Sequence, residues 1–420
     1  MNFEETTLEN GLKIMTSTRA HTETVSLGLW INTGSAYEDE AVNGVSHFIE
    51  HMVFKGTQKR TALQISEDIE NVGGQTNAYT SREFTAFYAK MLKEDVQLAV
   101  DVIADFVVAP TFDETEMAKE KEVVVQEIKQ SIDTPDEAIF DYFQDTAFSG
   151  DALGKTILGP AETVRSFNKQ ILQGYMKTHY GANNMVAVAV GNIKHDDFVN
   201  MVKSRLMGFQ NKASFSTSPQ IYQGGFFKQK RDIEQAHVLL GFKGIDYQNP
   251  AYYAVSIFST LFGGGMSSRL FQEIREKRGL CYTVYSFTNS HTKNGLFGIY
   301  AGTGADELEK LVPVVADEIK KAMNEKVSVK ELERAKAQLK ASILMSLESS
   351  SSTAEVLARQ YLIHHRIIPI FEIIERLNAV TVDDIQKAAQ MLFSSTPTYT
   401  LLGDVKKHIS YENFENYLKS

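Results

Sequence analysis

The sequence is short of the residues that would staple a chain or span a bilayer. It has 1 cysteine in 420 residues, Cys281, which excludes an internal disulfide framework and suits a reducing compartment. No uninterrupted apolar stretch approaches the roughly 20 residues of a membrane-spanning helix. VVVQEI and MVAVAVG are only long enough for core elements. The opening MNFEETTLENGLK lacks a basic region followed by an apolar run, so it does not read as a secretory signal. It is not an Arg-rich, acid-poor transit sequence either. Positive charge is in deficit: 43 Lys and Arg against 53 Asp and Glu leave a net charge of −10. That balance argues against a nucleic-acid or anionic-membrane surface and is compatible with basic ligands. A soluble, cytoplasmic protein without nucleic-acid or membrane partners is expected.

What is present is a chain long enough, at 43% hydrophobic residues, to bury two or three cores. Strand patterns alternate with helix patterns. Asn10-Gly11 separates FEETTLE from LKIMTST as in a hairpin. Strands are expected over 24–34, 83–91 and 184–193, and a long helix over about 113–131. The second half repeats this order. AHVLLGFKGID echoes TVSLGLWINTG, with Gly241 matching Gly28 at an offset of 213, and TPTYTLLGDV echoes NMVAVAVGNI, with Gly403 matching Gly191 at 212. Two near-equal offsets imply an internal duplication. The polar stretch QNKASFSTSPQIYQGG reads as a linker. The expected fold is α+β: two homologous α/β-sandwich domains, each a mixed sheet packed with helices, over 1–209 and 229–420, joined by a linker at 210–228.

The chemistry lies in HFIEHMVFKGT, residues 47–57. His47 and His51 are one helical turn apart, so both can face one ion, and Glu50 lies beside them. Asn43-Gly44 before the run and Gly56 after it punctuate a helix. A bare pair of this spacing fits a polar helix face as well as a metal site. The duplication favours the metal: an offset of 212 puts Ser259, Phe262 and Gly263 where His47, Glu50 and His51 stand, an active copy beside an inert one. A hydrolytic zinc site needs a third ligand. EMAKEKEVVVQEIKQ offers Glu120 and Glu127, about 10 Å apart on one helix face, and spacing alone does not choose between them.

The His-x-x-Glu-His order, followed by GGQTNAYTSRE and a glutamate 76 residues after His51, resembles the pitrilysin/insulinase family of zinc metallopeptidases, its mitochondrial-processing-peptidase-like branch in bacterial form. The likeness spans essentially the whole chain, including LFGGGMSSRLF. It implies one Zn2+ per chain on His47, His51 and Glu127, with Glu50 as catalytic base and Glu120 supporting a ligating histidine. It also implies a role in catalysis for Arg275 and Tyr282, seven apart in REKRGLCY. Phe54, Asn77 and Ala78 match substrate-binding positions, and Glu137 and Asp141 match acidic positions that hold an arginine near the cut. The implied function is a zinc-dependent endopeptidase for unstructured peptides, cutting near basic residues in a chamber formed by a homodimer, the second domain being inactive. The alternatives are the catalytic subunit of a heterodimer and a non-catalytic scaffold subunit. Scaffold relatives typically lose ligands or the base, and this chain retains all four.

Overall fold

The computed structural model describes residues 2–209, 212–215 and 218–419. The expected linker at 210–228 thus includes four positions (210, 211, 216 and 217) that lie outside the described residues. None of the described helices is long and apolar enough to cross a membrane. The chain forms two compact units, neither of them continuous in sequence. The first comprises Met1–Lys129, Lys155–Ser218 and Leu344–Pro369; the second comprises Gln130–Gly154, Pro219–Ile343 and Ile370–Ser420. The division differs from a cut near 210–228 in that one segment of each half packs with the other half's sheet.

The first unit is built on strands β1 (Glu4–Thr7), β2 (Lys13–Thr18), β3 (Thr24–Ile31), β4 (Gln75–Thr80), β5 (Thr85–Leu92) and β6 (Met185–Gly191). They form one sheet in the order β1-β2-β6-β3-β5-β4, in which only β2 and β6 run parallel. The N-terminal hairpin forms as the Asn-Gly signal predicts, with Gly11 at φ 94°. Both faces of the central strands are covered, which is why MVAVAVG reads as a continuous apolar run rather than an alternation. Ala187 and Ala189 of β6 face one core with Leu27 and Leu29 of β3. Val186, Val188 and Val190 face the other, with Trp30.

That second face is closed by the helix Ser350–His364, through Ala354, Leu357, Ala358 and Leu362. The serine run before it supplies the cap: the Ser349 side chain accepts from the Ser352 amide. Arg19 fixes the same end, its guanidinium donating to the carbonyls of Leu347 and Glu348, each at 2.6 Å, and to Thr353 Oγ1 at 2.7 Å.

The second unit contains β7 (Gly225–Lys230), β8 (Gln235–Lys243), β9 (Cys281–Ser290), β10 (Gly295–Gly304) and β11 (Thr398–Gly403), in the order β7-β11-β8-β10-β9. This is the order β2-β6-β3-β5-β4 again, with the parallel pair in the same place. Lys13 pairs with Val186 and Gly225 with Thr398, both shifted by 212. Gly191 and Gly403 are equivalent, at φ 144° and 115°, where an added Cβ would strike the backbone of Thr24 or Gln235. The other expected pair is corrected by the register. Gly28 lies opposite Val188 and Tyr88, and Leu239, not Gly241, lies opposite their counterparts Thr400 and Tyr300. A two-residue slip keeps the same face of a strand, so the hydrophobic pattern could not expose it. Gly241 answers to a different neighbour: an added Cβ there would strike the ring of Phe143. Phe143 belongs to the helix Pro135–Ala147, which packs on the sheet of the second unit.

The lone Trp30 sits on the face closed by Ser350–His364, so its fluorescence reports on that packing. Leu357→Ala, at a fully buried position, is expected to destabilise the first unit by about 2–5 kcal/mol. Urea unfolding followed by Trp30 emission would show a lower midpoint; an unchanged midpoint would mean that the helix does not hold this face.

Candidate metal centre

His47 and His51 lie on the helix Val45–Val53, which buries Val45, Phe48, Ile49, Met52 and Val53 on its other side. Gly44 precedes it at φ 96°, where an added Cβ would meet the Leu158 carbonyl at 2.6 Å, so glycine is required. The helix start is held by Glu38, a residue the sequence reading did not single out. Glu38 Oε2 accepts from the Gly44 amide at 2.7 Å and Asn43 Nδ2 at 2.9 Å, and Oε1 accepts from the Ser46 amide at 2.8 Å. A buried carboxylate thus satisfies helix-start amides and complements the positive end of the helix dipole. Ser46 Oγ donates to Tyr175 Oη at 2.8 Å, tying the same turn to a second buried group.

The imidazoles stand one turn apart, with ring centroids 4.6 Å from each other. The long helix Glu114–Asp133 brings Glu127 to them. Its two oxygens lie 3.6 Å from His47 Nε2 and 3.5 Å from His51 Nε2. Both distances are too long for hydrogen bonds. They are close to the roughly 3.3–3.4 Å that separates tetrahedral donors on a zinc ion bonded at about 2.0–2.1 Å. Among the described residues this is the one group of three or more His, Cys, Asp or Glu side chains whose ligand atoms all lie within 4.8 Å. Two imidazole nitrogens and a carboxylate are a donor set suited to zinc.

The surrounding charges prepare the donors. Burial, and then the neighbouring His51, push His47 down to about 3, so its ring is neutral and its lone pair free. Burial lowers His51 too, but the hydrogen bond to Glu120 and the charges of Glu127, Glu120 and Glu50 outweigh it and raise its pKa. Glu120 Oε1 receives His51 Nδ1–H at 2.8 Å, while Oε2 pairs with Lys55 Nζ at 2.7 Å. With the proton fixed on Nδ1, Nε2 is the nitrogen presented to a metal. Burial would raise Glu120, yet these two partners leave its pKa lowered. Glu50 is raised, by burial first and opposed by Thr80, whose hydroxyl donates to Glu50 Oε2 at 2.6 Å.

The remaining expected residues are distributed as follows. Asn77 and Ala78 lie on β4, the edge strand of the sheet, and the Ala78 amide donates to the Asn77 side-chain oxygen at 2.8 Å. Phe54 closes the histidine helix and packs on Phe106, with ring centroids 4.7 Å apart. Glu137 and Asp141 stand on Pro135–Ala147, within the second unit. Arg275 and Tyr282 are also brought together there. The guanidinium lies over the Tyr282 ring at 5.2 Å and over Phe271 at 4.7 Å, and Tyr282 is 78% exposed.

Comparison with known proteins agrees with this geometry. Residues 13–161 match the family model of insulinase (peptidase family M16), and residues 166–339 match that of the peptidase M16 inactive domain. The chain is 39% identical to an uncharacterized zinc protease of Rickettsia felis, over 96% of this chain and 98% of that one.

The chain belongs to the insulinase family, peptidase family M16.

This M16 chain is also 38% identical to an uncharacterized zinc protease of Bacillus subtilis, covering 94% and 97% of the two chains. It is 34% identical to the mouse mitochondrial-processing peptidase subunit beta, covering 96% and 84%. The crystal structure of a protease from Helicobacter pylori has the same fold, at a TM-score of 0.88 and 22% identity over 96% and 99% of the chains. The label of the second family model fits the residues. In the second unit, the helix that follows β8, Tyr252–Gly263, carries no His, Cys, Asp or Glu.

Because His51 holds its proton above the ordinary 6.5, its contribution to the metal-free fold is complete below that value. It is lost as pH rises through the raised one. Metal must displace that charge, so zinc affinity is expected to climb over the same window and level off above it. Glu120→Gln removes the carboxylate that holds the proton. Zinc affinity should fall about 10–100-fold and the window should move down in pH, both measurable by competition with a chromophoric chelator. Unchanged affinity in the variant would remove Glu120 from the site.

Proposed function

We propose that the chain is a zinc-dependent endopeptidase hydrolysing unstructured peptides near basic residues, in a cytoplasmic homodimer that forms the reaction chamber. The observation that carries the reading is the His47–His51–Glu127 triangle with a raised-pKa carboxyl, Glu50, beside it. His47, His51 and Glu127 would hold the ion, and Glu120 sets the tautomer of His51. When bound, zinc supplies a Lewis acid that polarises a peptide carbonyl and makes water acidic enough to deprotonate near neutrality.

The chain's own residues account for the rest. Glu50 accepts the proton of the attacking water and passes it to the departing amine, a task helped by a carboxyl whose proton affinity burial raises. The open edge of β4, at Asn77 and Ala78, offers backbone groups to an extended peptide as an added strand. Arg275 and Tyr282 stabilise the oxyanion, Phe54 lines the pocket for the residue after the cut, and Glu137 and Asp141 favour an arginine in the substrate.

The test is cleavage of an unstructured Arg-containing peptide by the purified, zinc-loaded chain. The wild type is expected to cut, and Glu50→Gln should retain zinc while losing about 100-fold or more in turnover. A fully active Glu50→Gln would remove it as the base. Native mass in solution checks the assembly: a dimer of the 47.0 kDa chain is expected. A monomer that cuts only when a second subunit is added would favour the heterodimer instead, an arrangement suggested by the word "subunit" in the mouse relative's name.

A further inference from the structure

Strand β4 is gripped from both faces at consecutive residues. Thr80 points to the histidine helix and donates to Glu50 Oε2 at 2.6 Å, within the short range of hydroxyl-to-carboxylate bonds. Tyr79, alternating to the opposite face, donates its hydroxyl to Glu355 Oε1 at 2.6 Å. Glu355 stands on Ser350–His364, and its Oε2 accepts from Trp30 Nε1 at 2.7 Å, which fixes the carboxylate against the central strand β3. The sheet neighbours β4 on one side only, where it pairs with β5 from Gln75↔Lys90 to Thr80↔Thr85. An edge strand so bounded depends on its side-chain contacts to resist fraying.

We propose that Thr80 and Glu355 are positioning residues for Glu50. Thr80 orients the carboxylate directly, and Glu355 fixes the strand that carries Thr80 by holding Tyr79 from the other face. The inference rests on Glu50 being the base. Its Oε2 accepts from the Thr80 hydroxyl, which orients the group so that Oε1 takes the proton of the attacking water. Without that hydroxyl, the half-buried Glu50 carboxylate loses the contact that selects one rotation about its terminal torsion, a soft and broad one for glutamate. Glu355 comes from the half of the chain that carries no metal ligand, so that half contributes to catalysis through the helix it lends to the first unit's sheet.

The experiment compares the zinc-loaded full chain with Thr80→Val, Thr80→Ser, Glu355→Ala and Tyr79→Phe. Thr80→Val should lower kcat roughly 10- to 100-fold with KM within about twofold and zinc still bound, and Thr80→Ser should restore most of it. In a crystal structure of Thr80→Val, Glu50 should leave its single orientation. Hydrogen exchange in the peptide covering 75–80 should quicken about tenfold or more in Glu355→Ala and in Tyr79→Phe; the latter removes one hydroxyl and no bulk. Wild-type turnover in Thr80→Val, or unchanged exchange at 75–80 in both other variants, overturns the proposal. If the wild type cuts no peptide, the functional reading fails on its own. The Glu50 orientation and the exchange rates still decide this one.

Discussion

Two imidazole nitrogens each 3.5–3.6 Å from an oxygen of Glu127, too far to bond it, are the constraint around which the first unit is arranged. Left to themselves, a neutral His47, a half-exposed Glu127 and a His51 that prefers its proton would not stay in that triangle. They are kept there by groups outside the triangle. Glu38 satisfies the start of the histidine helix, and Lys55 shares Glu120 with His51. The core formed by Phe48, Ile49, Met52 and Val53 stops the helix from rotating its imidazoles away. The charges around the triangle are graded accordingly: one ring is driven neutral by burial, while the other is tied through its far nitrogen to a carboxylate that is itself held down by two cations.

The duplication shows how one architecture can serve two ends. Strand order, parallel pair and much of the register are common to the two sheets, and so is the positive-φ glycine that ends β6 and β11. What differs is the helix after the equivalent strands. In the first unit it carries two histidines and a glutamate on one face; in the second it is aromatic, aliphatic and small residues, most of them packed into the core. Each sheet is also covered by a helix from the other half of the sequence. The first unit's sheet is therefore bounded on one face by its own histidine helix and on the other by Ser350–His364, whose Glu355 accepts from Tyr79, the neighbour of the threonine that meets Glu50.

The elements of this fold were legible because their signals are local. The Asn-Gly hairpin, the glycines around HFIEHMVF and the apolar run of β6 all follow from backbone conformation or side-chain periodicity over a few residues. The pair His47 and His51 was legible for the same reason, since helical spacing alone puts them on one face. The choice of Glu127 over Glu120 was legible only through the family resemblance and not through spacing, because both lie on one helix face and only the approach of a second helix distinguishes them. Glu38 and Thr80 were invisible: each acts on the site across a turn or a sheet, and neither has a spacing that marks it. The mismatch of Gly28 with Gly241 has the same origin, since strand periodicity cannot register a shift of two.

The sequence by itself determined that the chain repeats, that one copy has metal-binding chemistry and the other does not, and that the helix of the first copy presents two imidazoles together. These are properties of neighbours along the chain, set by helical and strand periods. The tertiary structure decided which carboxylate completes the triangle and which one orients His51. It also decided which helix covers which sheet, and that a threonine on an edge strand meets Glu50. Those outcomes depend on which surfaces bury against each other, and contacts between residues 30 to more than 300 apart leave no period in the sequence to read.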